Sequence, residues 1–322
     1  MYDVVALGEI LIDFTPYGQS DNKNTLFERN PGGAPANLLV MLSKLGMKTS
    51  FIGKIGADDF GTFLKETLIS NHVDTTGVVT TGQVNTTLAF IHLHPDGDRS
   101  FSFYRKPGAD ITLEEKEVNY ELIDKAKLFH FGSVSMTSEP SRQATISALK
   151  YAKEKGLLIS FDPNLRESLW DDLSEAKKVI SDSMHFADIL KVSEEELHFL
   201  TDTMDYENGT ELLSRNYGIP LILVTLGEKG CFFRYKDKTE MIPPYVVEAI
   251  DTTGSGDAFC GALLYKILAE SNMENLNIDK LKSSVLFANA AGALAATKRG
   301  GIPALPTLKD ICQLQEDSRN EV

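Results

Sequence analysis

At 322 residues the chain is long enough for one large domain or two ordinary ones, with a substantial core. A formal net charge of −14, with no run of Lys and Arg, argues against binding nucleic acid or anionic membranes. Three cysteines without metal-ligand spacing fit a reducing compartment, and no apolar segment reaches membrane-spanning length, so the sequence reads as a soluble cytoplasmic protein.

The first apolar run, 4–12, predicts a strand with Asp13 just past its end. A polar, turn-rich stretch over 14–30 follows. Pro31-Gly32-Gly33-Ala34-Pro35-Ala36-Asn37 then sets two glycines before a helix over 36–45. Backbone there can approach a ligand closely, and Asn37 offers both a donor and an acceptor. With Asp13 this set suits a polyol; a tight turn feeding a helix is the structural alternative. After a strand over 49–55, residues 87–104 read as two strands, 88–93 and 100–104, joined by a turn around Pro95-Asp96-Gly97. Segments 14–30 and 87–106 together predict a small β-sheet lid inserted in a single domain over 1–322. Arg105 closes that lid, placed either to reach a substrate or to cover a surface.

Strands over 128–131, 157–161, 189–192 and 221–225 alternate with helices over 142–153, 173–185, 194–200 and 209–217. This order predicts an α/β fold, a three-layer α/β/α sandwich around a mainly parallel sheet. Ligands of such sheets bind beyond the carboxyl ends of the strands, where Asp13, Asp162 and Gly227 are expected. In Asp162-Pro163-Asn164-Leu165-Arg166, Arg166 is suited to neutralise a transferred phosphate and Asn164 to bond it, unless this is a surface turn. Ser193-Glu194-Glu195-Glu196 is a capping box, which explains both end residues; a magnesium-linked role for Glu196 is the weaker reading. Thr225, Gly227 and Gly230 leave a buried strand as a nucleotide edge. The alanine-rich run 284–298, with Asn289 and Gly292, lets a flat ring lie against a helix or packs closely on a sheet.

The richest stretch is Asp251-Thr252-Thr253-Gly254-Ser255-Gly256-Asp257-Ala258-Phe259, followed by an apolar helical run over 258–268. Glycines before a helix N-terminus leave N–H groups free to hold an anion, with the helix dipole assisting. A fixed carboxylate there, Asp257, makes sense as the base for a nucleophile attacking that anion. A capped turn entering a core helix is the bland alternative. No P-loop motif is present, and Gly254-x-Gly256-x-x-Phe259 lacks the third glycine of a dinucleotide fingerprint.

Together, Gly32-Gly33-Ala34-x-Ala36-Asn37 and the 251–259 stretch resemble the two signatures of the PfkB (ribokinase-like) carbohydrate kinases, over residues 4 to about 306. The 96–110 segment and the Gly8-Glu9-x-Leu11-Ile12-Asp13-Phe14 opening look most like bacterial-type fructokinases. The resemblance implies a ribokinase-like fold and ATP-dependent transfer of phosphate to a sugar hydroxymethyl group, chiefly D-fructose to fructose 6-phosphate. It implies Asp257 as base, Gly254, Ser255 and Gly256 as the anion hole, and Arg166 between phosphate and acceptor. It assigns Asp13, Gly32, Gly33, Asn37 and Arg105 to the sugar, and Asn164, Glu196, Thr225, Gly227, Gly230 and Asn289 to ATP and its Mg²⁺, with Glu196 acting on the metal through water. Asp251, Thr253, Ala295 and Gly300 are implied for an activating K⁺, and a homodimer is implied through the lid. Two departures stand out: Ser193 where the family carries Asn, and Ala304 where some relatives carry Ser near the cation. The alternatives are another sugar kinase, above all a 2-keto-3-deoxygluconate kinase, and a non-catalytic sugar- or nucleotide-binding regulator.

Overall fold

The computed structural model describes residues 1–93, 99–270, 273 and 276–320. In chain order the strands are β1 (Tyr2–Leu7), β2 (Leu11–Gln19), β3 (Thr25–Gly32), β4 (Thr49–Gly56), β5 (Val73–Thr81), β6 (Leu88–Leu93), β7 (Arg99–Tyr104), β8 (Ala126–Phe131), β9 (Leu158–Phe161), β10 (Ile189–Ser193), β11 (Leu221–Thr225), β12 (Cys231–Tyr235) and β13 (Lys238–Ile242). The helices are α1 (Ala34–Lys44), α2 (Asp59–Ser70), α3 (Tyr120–Asp124), α4 (Ser141–Glu154), α5 (Leu173–Met184), α6 (Glu194–Thr201), α7 (Tyr206–Tyr217), α8 (Ser255–Ala269), α9 (Ile278–Ala296) and α10 (Leu308–Asn320).

Nine strands form one sheet in the order β13-β12-β11-β10-β9-β8-β1-β4-β5. Every pairing from β11 to β5 is parallel, and only the β12 and β13 edge is antiparallel. Both faces of this sheet are covered. Val4 and Ala6 of β1 enter one apolar cluster, with α1, α8 and α9, while Val5 and Leu7 enter the other, with α4 and α5. The two-residue period of a strand thus sends alternate side chains into two cores, so buried parallel strands read as continuous apolar runs.

A second sheet, β3-β2-β6-β7, forms the lid. The run 4–12 is therefore not one strand. Pairing with β4 and β8 ends at Leu7, and the chain passes through Gly8 into β2. A side chain at Gly8 would put its Cβ 2.5 Å from Pro35 Cγ, so the crossing needs glycine. Asp13 consequently sits within a lid strand, opposite Asn30, rather than beyond a core strand. The 14–30 stretch is likewise mostly strand: β2 and β3 pair antiparallel with exposed ends, which hid the period. The predicted strands over 88–93 and 100–104 are β6 and β7, while the predicted turn at 95–97 lies outside the described residues.

Candidate active site

α8 opens on Gly254, which takes a left-handed conformation (φ 78°) as N-cap and carries no side-chain cap. A Cβ there would lie 3.1 Å from Gly301 Cα, so both conformation and space call for glycine. The Ser255 N–H turns back to the Thr252 carbonyl at 3.2 Å. Of the Gly254 to Gly256 N–H groups expected from sequence, that of Ser255 is thus taken within the loop, while those of Gly254 and Gly256, with Asp257 next to them, have no backbone partner among the described residues. The Ser255 hydroxyl is buried without a partner.

This loop is the wall between two cavities that share Thr252 and Gly256. One, of about 700 Å³, is lined by Asp13, Gly33, Asn37, Asn164, Arg166 and Asp257, among others. The other, of about 740 Å³, is more apolar: Val246, Val247, Phe259 and Ala296 face Thr225, Gly227, Gly230 and Asn289. The first suits a small polyol and the second a flat heterocycle, with an anion cradle at their junction.

On the polar side, Asp13 and Asp257 keep a strip of surface open to the cleft yet are hemmed in by protein. Burial pushes Asp13 up to about 7, against the Arg166 guanidinium and with Asp257 and Asp251 adding to the rise. Burial also raises Asp257, to about 6, while the hydrogen bond from Asn37 lowers it. Gly32 is glycine because its Cβ would lie 2.0 Å from Asp13 Oδ2. Gly33 (φ 111°) has no room either, with the Glu9 carbonyl 2.5 Å from where a Cβ would sit.

Several predicted residues lie elsewhere or work indirectly. Arg105 is absent from the cleft wall: it is buried, with Nε on Asp110 Oδ2 at 2.8 Å, one terminal nitrogen on Thr137 Oγ1 and the other on the Val134 carbonyl. These bonds hold the end of the lid to the core. Glu196 forms the capping box: Oε2 accepts from Ser193 N–H, and Oε1 accepts from Leu165 N–H at 2.7 Å. Asn289 donates to the Pro243 carbonyl and so braces the loop that lines the apolar cavity. Asp251 Oδ1 accepts from the N–H and hydroxyl of Thr253, and Oδ2 from Gly300 N–H at 3.0 Å. That carboxylate ties the 251–253 loop to the segment after α9. The Ala295 carbonyl accepts from Lys298 N–H. Among the described residues no group of three or more His, Cys, Asp or Glu is arranged to hold a metal.

Two residues of the cleft wall were not singled out from sequence. Lys191, on β10, pairs with Asp162 at 3.0 Å, both nearly sealed from solvent. Against burial, which works to lower it, Asp162 and Glu196 hold the Lys191 ammonium well above its ordinary value. Its Nζ lies 3.1 Å from the position of a Cβ on Gly256, directly under the anion cradle. A lone lysine inside an apolar strand, Ile189-Leu190-Lys191-Val192, was the available signal. Glu9, 3% exposed, caps α1 by accepting from Ala34 N–H at 3.0 Å, and its Oε2 has no partner.

The pfkB family carbohydrate kinase model matches residues 1–308. The chain belongs to this family. Fructokinase-1 of Oryza sativa subsp. japonica is 45% identical over 318 residues, covering 98% of each chain. Among solved structures, the fructokinase of Xylella fastidiosa with bound ATP superposes with a TM-score of 0.90 at 32% identity, covering 99% of this chain and 100% of that one. A double-mutant fructokinase of Vibrio cholerae, in a fructose, ADP and potassium ion bound form, gives 0.88 at 34% identity, covering 97% and 98%. Membership in this family makes the chain a carbohydrate kinase of ribokinase-like fold. Among the described residues no helix is long and apolar enough to cross a membrane.

Proposed function

We propose that this kinase transfers the γ-phosphate of ATP to the 6-hydroxyl of D-fructose, with Asp257 as general base. The observation that carries the reading is the placement of an anion cradle and a carboxylate with a raised pKa, about 6, at the junction of a polar and an apolar cavity. Asp13, Gly33 and Asn37 position the sugar. Asp257 takes the hydroxyl proton, the freed oxygen attacks the γ-phosphorus, and the bond to the β-phosphate oxygen breaks to release ADP. The N–H groups of Gly256 and Asp257, with Arg166 across the cleft, stabilise the charge on the transferred group.

Mg²⁺ is ordinarily held by one or two carboxylates, water and the phosphates themselves. Glu196, its two oxygens already on backbone N–H groups, would act on that metal only through water. When bound, the metal neutralises phosphate charge. For K⁺ the Asp251 brace and the carbonyls around Ala295 and Gly300 are the residues that would hold it, and Ala304 brings no hydroxyl to that place.

Fructose is favoured over 2-keto-3-deoxygluconate because the acceptor cavity gathers Glu9, Asp13 and Asp257 while Arg105 is spent on Asp110. A carboxylated acceptor would meet those acids at close quarters. Exposed Tyr17, Leu26, Phe27 and Tyr104 on the lid support a homodimer formed through it. A cytoplasmic setting agrees with the buried, unbridged Cys231 and Cys260. An ADP-release assay across fructose, ribose, tagatose, glucose and 2-keto-3-deoxygluconate tests the reading: fructose is expected to give the highest kcat/KM. A higher value for the sugar acid would overturn the substrate while leaving the kinase.

A further inference from the structure

Asn37 Nδ2 donates to Asp257 Oδ2 at 2.7 Å, across the contact between the first turn of α1 and the first turn of α8. Asn37 is 4% exposed, and its Oδ1 is buried without a partner. The amide is therefore held by this one bond, and nothing else on the side chain competes for its orientation. We infer that Asn37 is a positioning residue for the base: it occupies Asp257 Oδ2 and leaves Oδ1 to take the acceptor's proton. This rests on the reading of Asp257 as the base.

The geometry makes α1 more than a wall of the sugar cavity. Gly33 and Ala34 begin the same helix, so its seating against α8 fixes acceptor and base together. A donor to a carboxylate favours the ionised form, because the bond strengthens with charge on the acceptor. Around Asp257 the other titratable or charged groups are Asp162 and Arg166 from the segment after β9, Lys191 from β10, Asp13 from β2 and Cys260 from its own helix. Asp162 and burial push the carboxylate toward the protonated form, and Lys191 and Arg166 oppose them. Asn37 is the uncharged donor in that set, and the only hydrogen-bond partner the Asp257 side chain shows among the described residues.

The test is the pH profile of kcat/KM for fructose in wild type, Asn37→Ala and Asn37→Asp, with Asp257→Asn as reference. The acid limb of the wild type is expected near pH 6. Loss of the donor moves it up by about one pH unit in Asn37→Ala. It moves further in Asn37→Asp, where two carboxylates share one site. At pH 7 the shifted titration alone lowers kcat about twofold, and loss of the carboxylate's orientation carries the fall in Asn37→Ala to about tenfold or more, beyond any rise in fructose KM. Truncation at Asn37 strands only Asp257, since Oδ1 makes no bond, and titration of the Asp257 carboxyl by ¹³C NMR in the ligand-free proteins gives the same ordering without turnover. An acid limb and carboxyl titration unmoved in both variants, with only KM raised, would reduce Asn37 to a sugar contact and overturn the inference. A fully active Asp257→Asn would instead overturn the base itself, and the inference with it.

Discussion

Lys191 Nζ and Asp162 Oδ2 lie 3.0 Å apart, nearly sealed from solvent, beneath the loop that opens α8. Two strands meet here: Lys191 belongs to β10, and Asp162 directly follows β9. The pair sets a fixed positive charge under Gly256 while its partner keeps the interior close to neutral.

Removing one member of such a pair leaves a buried charge without compensation. Lys191→Ala is expected to lose about 3–5 kcal/mol of stability, read by denaturant unfolding. The double variant Lys191→Met, Asp162→Asn should recover most of that loss but not the turnover, because the charge beneath the cradle is gone. Recovery of both would show that the pair serves packing alone.

Glu9 supplies a pH prediction. Burial pushes its carboxyl up to about 7, against the hydrogen bond from Ala34, while an unfolded glutamate titrates near 4.3. The folded state thus binds this proton more tightly, so Glu9 adds stability below the unfolded value, and that contribution is lost as pH rises through about 7. Glutamine keeps an acceptor for Ala34 N–H and carries no charge. Glu9→Gln should therefore raise Tm over wild type, by more at about pH 8.5 than at about pH 5.5. A Tm difference that does not change with pH would contradict this account of the residue.

Gly32 bears on the acceptor side alone. A Cβ 2.0 Å from Asp13 Oδ2 has to displace that carboxylate. In steady-state kinetics Gly32→Ala should raise the fructose KM about tenfold or more, the cost of a lost charged hydrogen bond, with the ATP KM near wild type. An increase in the ATP KM of similar size would mean that the two cavities are not separate subsites.

Much of this site was legible in the sequence because its parts are local. Gly254 to Asp257 form one loop and one helix start, and Gly32 to Asn37 another, so spacing alone carries their geometry. The parallel core strands also read directly, since two buried faces leave unbroken apolar runs. What stayed hidden depends on distance in sequence. Arg105 looks like a substrate ligand until Asp110, Thr137 and the Val134 carbonyl are brought to it. The bond from Asn37 to Asp257 joins residues 220 apart. The lid hairpin was obscured for another reason: β3 is exposed over most of its length, so no buried face imposed a period of two.

The central claim is that Asp257 takes the proton from a sugar hydroxyl as ATP phosphorylates it. The most direct measurement pairs ATP-dependent turnover of fructose with calorimetric fructose binding in wild type and Asp257→Asn. The account predicts a fall in kcat of about 10²–10⁴, the range for losing a general base, with fructose affinity kept within about threefold. An Asp257→Asn enzyme that turns over fructose at the wild-type rate would contradict it.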